Sequence, residues 1–256
     1  MLNDLNNWYI FLFVGCRMTG LIFFNPIFGR GSVPALVKIG LGLGIALHVT
    51  YGLTDIFVSD YTTIDLLLAM LREFAVGYAM SFIMQLFLSI FHIGGELMDL
   101  QMGLSMAQMY DPSTNSHVSV TGNLMTIMYV LLFFITNSHL SMMAVAARSY
   151  SVVPIGISGV SPKIGIYIIE LFGYILVYAI QLALPVIVTE ILTEVAVGIL
   201  MRVVPNINVF VVNIQLKVIV GLVVLITIIP VLVRFLAKIN LIMLDRMEDV
   251  LRYFIV

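Results

Sequence analysis

Four methionines, Met98, Met102, Met106 and Met109, recur at steps of 4, 4 and 3 in the stretch from Gly94 to Ser116. On a helix this spacing places four thioethers along one face. Methionine side chains are unbranched and adaptable, so such a face can seal against surfaces that change shape. The same stripe is equally typical of the buried core of a helix, and the chemistry of methionine does not decide between these two hypotheses.

Glycines in this stretch predict backbone freedom. Gly94, Gly95 and Gly103 carry no side chain, so the chain can bend at each of them. Further along, the Asp111 side chain can cap the turn that Pro112 begins. We therefore expect Gly103 and Asp111-Pro112 to bound a movable element.

Other residues whose types could do chemistry give weaker indications. Glu190 and Glu194 lie four residues apart and would share a helical face, which a transporter could use as a proton relay. The ordinary alternative is a polar pair at a helix end near the turn at Arg202. The four histidines never fall three or four residues apart, and no nucleophile and base lie at a workable spacing. The sequence therefore predicts no metal, no cofactor and no enzyme.

Composition places these residues in or at a membrane. Hydrophobic residues occupy 61% of the 256 positions and charged residues 10%, whereas about half and a quarter are usual in soluble domains. The formal net charge of −2 leaves no basic surface for nucleic acid. A single cysteine, Cys16, excludes an internal disulfide.

Six apolar runs, each near or above the roughly 20 residues of a membrane-crossing helix, follow one another along the chain. They cover residues 8–28, 39–58, 66–93, 124–147, 164–189 and 209–233. Because turn-forming residues separate them, we predict an all-α fold of membrane-associated helical hairpins. Residues 234–256 have apolar positions at helical spacing and charges on the other face, which predicts an amphipathic helix packed on partners or at the membrane interface.

Ionisable residues also lie inside these runs, namely Arg17, Arg72, Glu73, Glu170 and Lys217. A charge facing lipid costs at least about 2.5–3.5 kcal/mol for Arg, Lys or Asp. We expect Arg17 and Arg72 to pair with carboxylates such as Glu73 or Glu96. Some of the runs would then be helices packed against other subunits rather than lipid-facing spans.

Several blocks in a fixed order carry a family resemblance. The first runs from Arg17 through Pro26 and Pro34 to Lys38-Ile39-Gly40-Leu41-Gly42, and the central one is Gly95-Glu96, Gln101-Met102-Gly103-Leu104-Ser105-Met106-Ala107 and Asp111-Pro112. The later blocks are Asn137-Ser138-His139-Leu140, Ser149 with Pro154-Ile155-Gly156, Ala183-Leu184-Pro185-Val186-Ile187, and Arg202 with Pro205 and Val209-Phe210. Together they resemble the FliR family of the flagellar type III secretion export gate, which has a counterpart in virulence secretion. One departure is Asn213-Ile214-Gln215, where many relatives have a Gly-x-Pro-like turn.

The resemblance implies an all-helical subunit of the bacterial inner membrane, within the flagellar basal body. Residues 1 to about 160 would be similar to FliP, and residues from about 161 to 256 would be similar to FliQ. One copy is expected to close a helical assembly with several copies of FliP and FliQ, with FlhB, FlhA and membrane lipid as further partners. Such a gate passes unfolded flagellar proteins. The competing interpretations are a subunit of a virulence injectisome and, less favoured, a secondary transporter of small solutes.

The resemblance also implies roles for particular residues. Residues 102–118 correspond to a plug that closes the export pore, which a compliant apolar neck would seal against water and ions. The plug positions so implied are Met102, Gly103, Leu104, Ser105, Met106, Met109, Tyr110, Asp111 and Pro112. Buried polar or assembly contacts are expected from Arg17, Arg72, Glu73, Glu96, Gln101 and Arg202.

Overall fold

The computed structural model describes residues 2–52, 62–105, 119–156, 159–203 and 209–255, with side chains from residue 7 and, in the last range, from residue 212. Within these ranges the chain is all-α, as predicted, and contains no strand. The helices are α1 Leu2–Phe23, α2 Ala35–Gly52, α3 Thr63–Met102, α4 Val120–Ile135, α5 Ser138–Val152, α6 Ile164–Val203 and α7 Val209–Leu251, followed by a 3-10 turn Arg252–Phe254.

Local signals explain where these helices begin and end. Before α2, the Pro34 carbonyl accepts the first bonds from the amides of Val37 and Lys38, at 3.0 and 3.3 Å. Before α3, the Thr62 hydroxyl bonds to the Asp65 carboxylate and accepts from the Asp65 amide at 3.4 Å, an arrangement that satisfies otherwise unpaired N-terminal amides. These caps hold the helix starts in place while the apolar faces pack.

The predicted run 124–147 is not one helix. It breaks between α4 and α5 at Asn137, whose φ of 56° lies in the left-handed region. Asparagine tolerates that conformation, which a right-handed helix does not continue. By length and composition, α2, α3, α6 and α7 can each cross a membrane, and the α4–α5 pair adds a fifth candidate. Among the described helices there are therefore fewer candidate spans than the six runs suggested.

A separate C-terminal helix from residue 234 was also a wrong prediction, because α7 runs unbroken through Pro230 to Leu251. The predicted apolar face is nevertheless correct. Its buried members are Leu232, Leu236, Ile239, Met243, Met247, Val250, Leu251 and Phe254. The last part of the chain thus packs by one face, as its spacing indicated.

Residues 1–87, 133–170 and 240–256 form one compact unit, which we call unit 1. Its central feature is the crossing of α1 and α3 at two glycines. A Cβ atom on Gly77 would lie 1.9 Å from the carbonyl oxygen of Arg17, and one on Gly20 would lie 2.5 Å from the carbonyl oxygen of Phe74. The two backbones are therefore in direct contact, which only glycine permits.

Residues 88–132 and 171–239 form a second compact unit, which we call unit 2. Here α3 continues as one helix through Gly94 and Gly95, so these glycines do not end it. A Cβ on Gly95 would lie 2.2 Å from the Cα of Gly122, and one on Gly94 would lie 3.0 Å from the carbonyl oxygen of Ala179. The glycine pair lets α4 and α6 approach α3 closely. Gly103, which follows α3, has a φ of 77°, a left-handed conformation that glycine adopts readily.

The predicted division near residue 160 separates a part expected to be similar to FliP from a part expected to be similar to FliQ. The compact units interleave along the chain and do not test it. It stays a prediction.

Candidate functional site

The residues expected to form a plug lie partly outside the described structure. Met102, Gly103, Leu104 and Ser105 stand at the end of α3, whereas Met106, Met109, Tyr110, Asp111 and Pro112 lie outside the described residues. Met98 and Met102 are both fully buried. The first half of the methionine stripe therefore packs inside the protein.

Met102 packs against α7 in unit 2. A Cβ on Gly221 would lie 2.4 Å from both Cγ and Sδ of Met102, and 3.0 Å from Oε1 of Glu190. Helices α3, α6 and α7 thus meet at Gly221. The missing side chain at Gly221 provides the space that Met102, the last residue of α3, occupies.

Glu190 and Glu194 have different surroundings. Glu194 is half-exposed and forms an ion pair with Lys217. Glu190 is fully buried, and within the described part of the chain neither of its carboxylate oxygens has a hydrogen-bond partner. The expected place at a helix end is wrong for Glu190, because α6 continues to Val203. No hydrogen bond between described residues links the two glutamates as a relay would require.

Asp99, in the last turn of α3, is a residue that sequence reasoning missed. Its buried carboxylate accepts hydrogen bonds from the Ser119 hydroxyl at 2.7 Å, from the Thr121 amide at 3.2 Å and from the Thr121 hydroxyl. Ser119 in turn caps α4, because its Oγ accepts the Gly122 amide at 2.8 Å. Serine before an apolar run signals a helix start, but nothing local signals a partner 20 residues earlier.

Arg17 is fully buried in unit 1 and is richly bonded. Its guanidinium donates to Glu73 Oε2 at 2.7 Å, to Ser149 Oγ at 2.9 Å and to the Val153 carbonyl at 3.0 Å. The guanidinium carbon also lies 4.0 Å from the centroid of the Tyr150 ring, a favourable cation–π distance. The charge of Arg17, which lies inside the first apolar run of the sequence, is therefore surrounded by protein.

Glu73 is also fully buried, and it joins this cluster to the backbone. Its Oε1 accepts the Gly156 amide at 3.1 Å, and Gly156 has a φ of 78°. Glu73 therefore holds both Arg17 and the backbone at Gly156, shortly after the end of α5. The remaining residues expected in buried polar contacts lie nearer the surface, with Arg72, Glu96 and Arg202 exposed and Gln101 partly exposed.

Comparison with known proteins adds the family. The family described as "Bacterial export proteins, family 1" matches residues 8–241. The chain belongs to this family. As a bacterial export protein it is 30% identical to the flagellar biosynthetic protein FliR of Pectobacterium carotovorum subsp. carotovorum, over 82% of this chain and 80% of that one.

Other relatives of this export protein come from two kinds of system. FliR of Escherichia coli K12 is 30% identical over 77% of this chain and 75% of its own. The surface presentation of antigens protein SpaR of Shigella flexneri is 27% identical over 82% of this chain and 84% of its own. The likeness therefore extends over most of the chain in both cases.

Replacing Gly221 by alanine is expected to displace Met102 in this export protein. Because the new Cβ overlaps a flexible side chain, we expect a loss of about 1–2 kcal/mol in the free energy of unfolding. Thermal unfolding of the purified protein measures this. The control is Gly198→Ala in α6, where nothing lies within 4 Å of the added Cβ and alanine raises helix propensity by up to about 1 kcal/mol. Equal midpoints for the two variants would contradict the contact between Met102 and Gly221.

Proposed function

We propose that this chain is a structural and gating subunit of the flagellar type III secretion export gate, in the bacterial inner membrane. It contributes to the pore through which unfolded flagellar proteins cross. The observation that carries this proposal is the likeness to FliR proteins over about four-fifths of the chain, together with the family match. Long apolar helices support a place in the membrane.

An exposed apolar surface supports the need for partner proteins. In the part of α6 that belongs to unit 2, large hydrophobic side chains are exposed from Phe172 to Val203. At about 1.5 Å per residue this stretch is about 47 Å long, and a hydrocarbon core of about 30 Å covers only about 39 Å of a helix tilted by 40°. Partner subunits would cover the part of this surface that lies beyond the hydrocarbon core. We assign FliP, FliQ, FlhB and FlhA to that role.

Residues 102–118 are the proposed plug. Two described features support this role: Met102 is anchored in the interior at the end of α3, and Ser119 is bonded to Asp99 where the described chain resumes. The described residues Asp99 and Ser119, on either side of the segment, are therefore in contact. Met106 and Met109 would supply the compliant apolar contact that resists wetting when the pore is closed.

The test is the leak of ions and small solutes, measured alongside secretion, in cells whose chromosomal copy lacks Gly103 to Tyr110. Co-purification of the partners checks assembly. We expect an assembled complex in a leaky membrane. A milder variant, Met106→Ser with Met109→Ser, should also leak, whereas the control Met143→Ser, at a partly exposed side chain of α5, should not. An assembled complex in a tight membrane would show that the segment is structural packing.

The second candidate function is a subunit of a virulence injectisome, because SpaR matches as large a share of the chain as FliR does. The two are distinguished by complementation. Restored motility in a flagellated strain lacking its own FliR supports the flagellar role. Restored effector secretion in a strain lacking SpaR, without restored motility elsewhere, supports the injectisome role.

A further inference from the structure

Four residues join the last turn of α3 to the first turn of α4: Asp99, Ser119, Thr121 and Gly122, which we call the Asp99 clasp. We propose that Asp99 is a positioning residue that holds these two helix ends together, and that sealing of the closed pore depends on this clasp. The sealing part rests on the proposed function of residues 102–118. The clasp itself stands on the contacts described here.

Hydrogen-bond donors from α4 converge on the Asp99 carboxylate. One carboxylate oxygen accepts a hydrogen bond from the Thr121 hydroxyl, and the other accepts one from the Ser119 hydroxyl. The Thr121 amide nitrogen lies 3.2 and 3.3 Å from the two oxygens. Asp99, Ser119 and Thr121 are 1%, 7% and 3% exposed, so water does not compete for these bonds. Hydrogen bonds to a charged acceptor are about twice as strong as neutral ones, and a carboxylate at a helix N-terminus also meets the positive end of the helix dipole.

The clasp supplies a second fixed point beside the glycine crossing of α3 and α4. At that crossing the Gly95 and Gly122 backbones touch, and a Cβ on Gly122 would also lie 3.2 Å from the carbonyl oxygen of Phe91. On the side of the crossing away from Asp99, α3 and α4 also pack through Phe91 and Tyr129, whose ring centroids lie 4.8 Å apart. Asp99, one turn beyond Gly95, adds bonds on the other side of the crossing and fixes its angle.

The position of Asp99 along α3 links the clasp to the residue that ends the helix. Met102 follows three residues later, fully buried, and the left-handed Gly103 then ends α3. At the other end, the Ser119 hydroxyl both donates to Asp99 and accepts the Gly122 amide, so the clasp is part of the cap of α4. Loss of Asp99 would therefore remove the bonds that hold Ser119 and Thr121 to the end of α3, and it would leave the glycine crossing and every residue of the proposed plug in place.

Hydrogen exchange in the assembled, purified complex tests the clasp directly. In Asp99→Asn an amide NH2 group replaces one acceptor oxygen and faces donors, so we expect the peptide covering residues 119–123 to exchange about tenfold faster. The control is Thr126→Val, which removes a 2.8 Å bond to the Gly122 carbonyl within α4 but no bond to α3. Unchanged exchange in Asp99→Asn would overturn the clasp.

Leak of ions and small solutes tests its role in sealing. We expect Asp99→Asn to assemble with its partners and to raise the leak about tenfold, while Thr126→Val stays tight. If the membrane stays tight with Asp99→Asn but leaks with the Gly103–Tyr110 deletion, the positioning role of Asp99 is wrong and the proposed plug stands. If the membrane also stays tight with the deletion, the proposed plug is wrong. Hydrogen exchange alone then decides whether the Asp99 clasp exists.

Milder variants decide the matter if Asp99→Asn does not assemble. Ser119→Ala and Thr121→Val each remove one hydroxyl donor and keep the carboxylate. Both are expected to assemble and to leak less than the deletion but more than Thr126→Val. Tight membranes in both, beside a leaky deletion, would overturn the positioning role of Asp99.

Discussion

Replacing Arg17 by methionine is expected to prevent the protein from reaching a stable, assembled form. The change leaves the Glu73 carboxylate fully buried without its cation, and breaking a buried ion pair in this way costs about 3–5 kcal/mol. Native domains are stable by only about 5–15 kcal/mol. The measurement is the amount of the chain that co-purifies with its partners, together with the thermal unfolding midpoint of what remains.

Two further variants separate the charge from the loss of packing. Arg148→Met changes an exposed arginine of α5, next to Ser149, and should leave both readouts close to those of the unchanged protein. Arg17→Met combined with Glu73→Leu removes both charges and should recover part of the loss, because no uncompensated charge remains in the interior. If Arg17→Met behaves like Arg148→Met, the buried pair does not stabilise unit 1.

Gly77→Ala is expected to have a comparably large effect for a steric reason. The new Cβ would lie 1.9 Å from the carbonyl oxygen of Arg17, and it would meet backbone rather than a side chain that can rotate away. Helices α1 and α3 must then separate, at a cost of about 3 kcal/mol or more. Thermal unfolding and co-purification with partners again provide the measurement.

Gly15→Ala is the matched control, because it introduces the same methyl group on α1 where nothing lies within 4 Å of the added Cβ. Its stability should equal that of the unchanged protein or exceed it by up to about 1 kcal/mol through helix propensity. Similar losses for the two variants would mean that glycine freedom, rather than backbone contact, is what matters at Gly77.

The helices were predictable because long apolar runs and turn residues are local signals. The helix boundaries that were wrongly predicted lie where the sequence has no such local signal. Asn137 interrupts an apolar run through one backbone angle, and no proline or glycine stands beside it. The charged residues after 233 looked like the start of a new element, yet Lys, Arg and Glu favour helix, so α7 simply continues.

The polar contacts were predictable only in part. A charge inside an apolar run must find a partner, so Arg17 was expected to pair, but its partner is 56 residues away and periodicity does not identify it. Asp99 had no indication at all, because its role depends on residues 20 and 22 positions later. Likewise, the sequence predicts only freedom to bend at Gly94 and Gly95, and the neighbouring helices reveal that they are also points of close contact.

The Arg17 cluster also constrains how the chain is made. The three acceptors of the guanidinium lie 56, 132 and 136 residues downstream. At a synthesis rate of about 5–20 residues per second, the last of them leaves the ribosome roughly 7–27 s after Arg17. Until then Arg17 lacks the acceptors that pair with it in the folded protein. Helix α1 therefore cannot reach its final position when it is synthesised. The nascent chain must keep that arginine in water or beside another protein until α5 arrives.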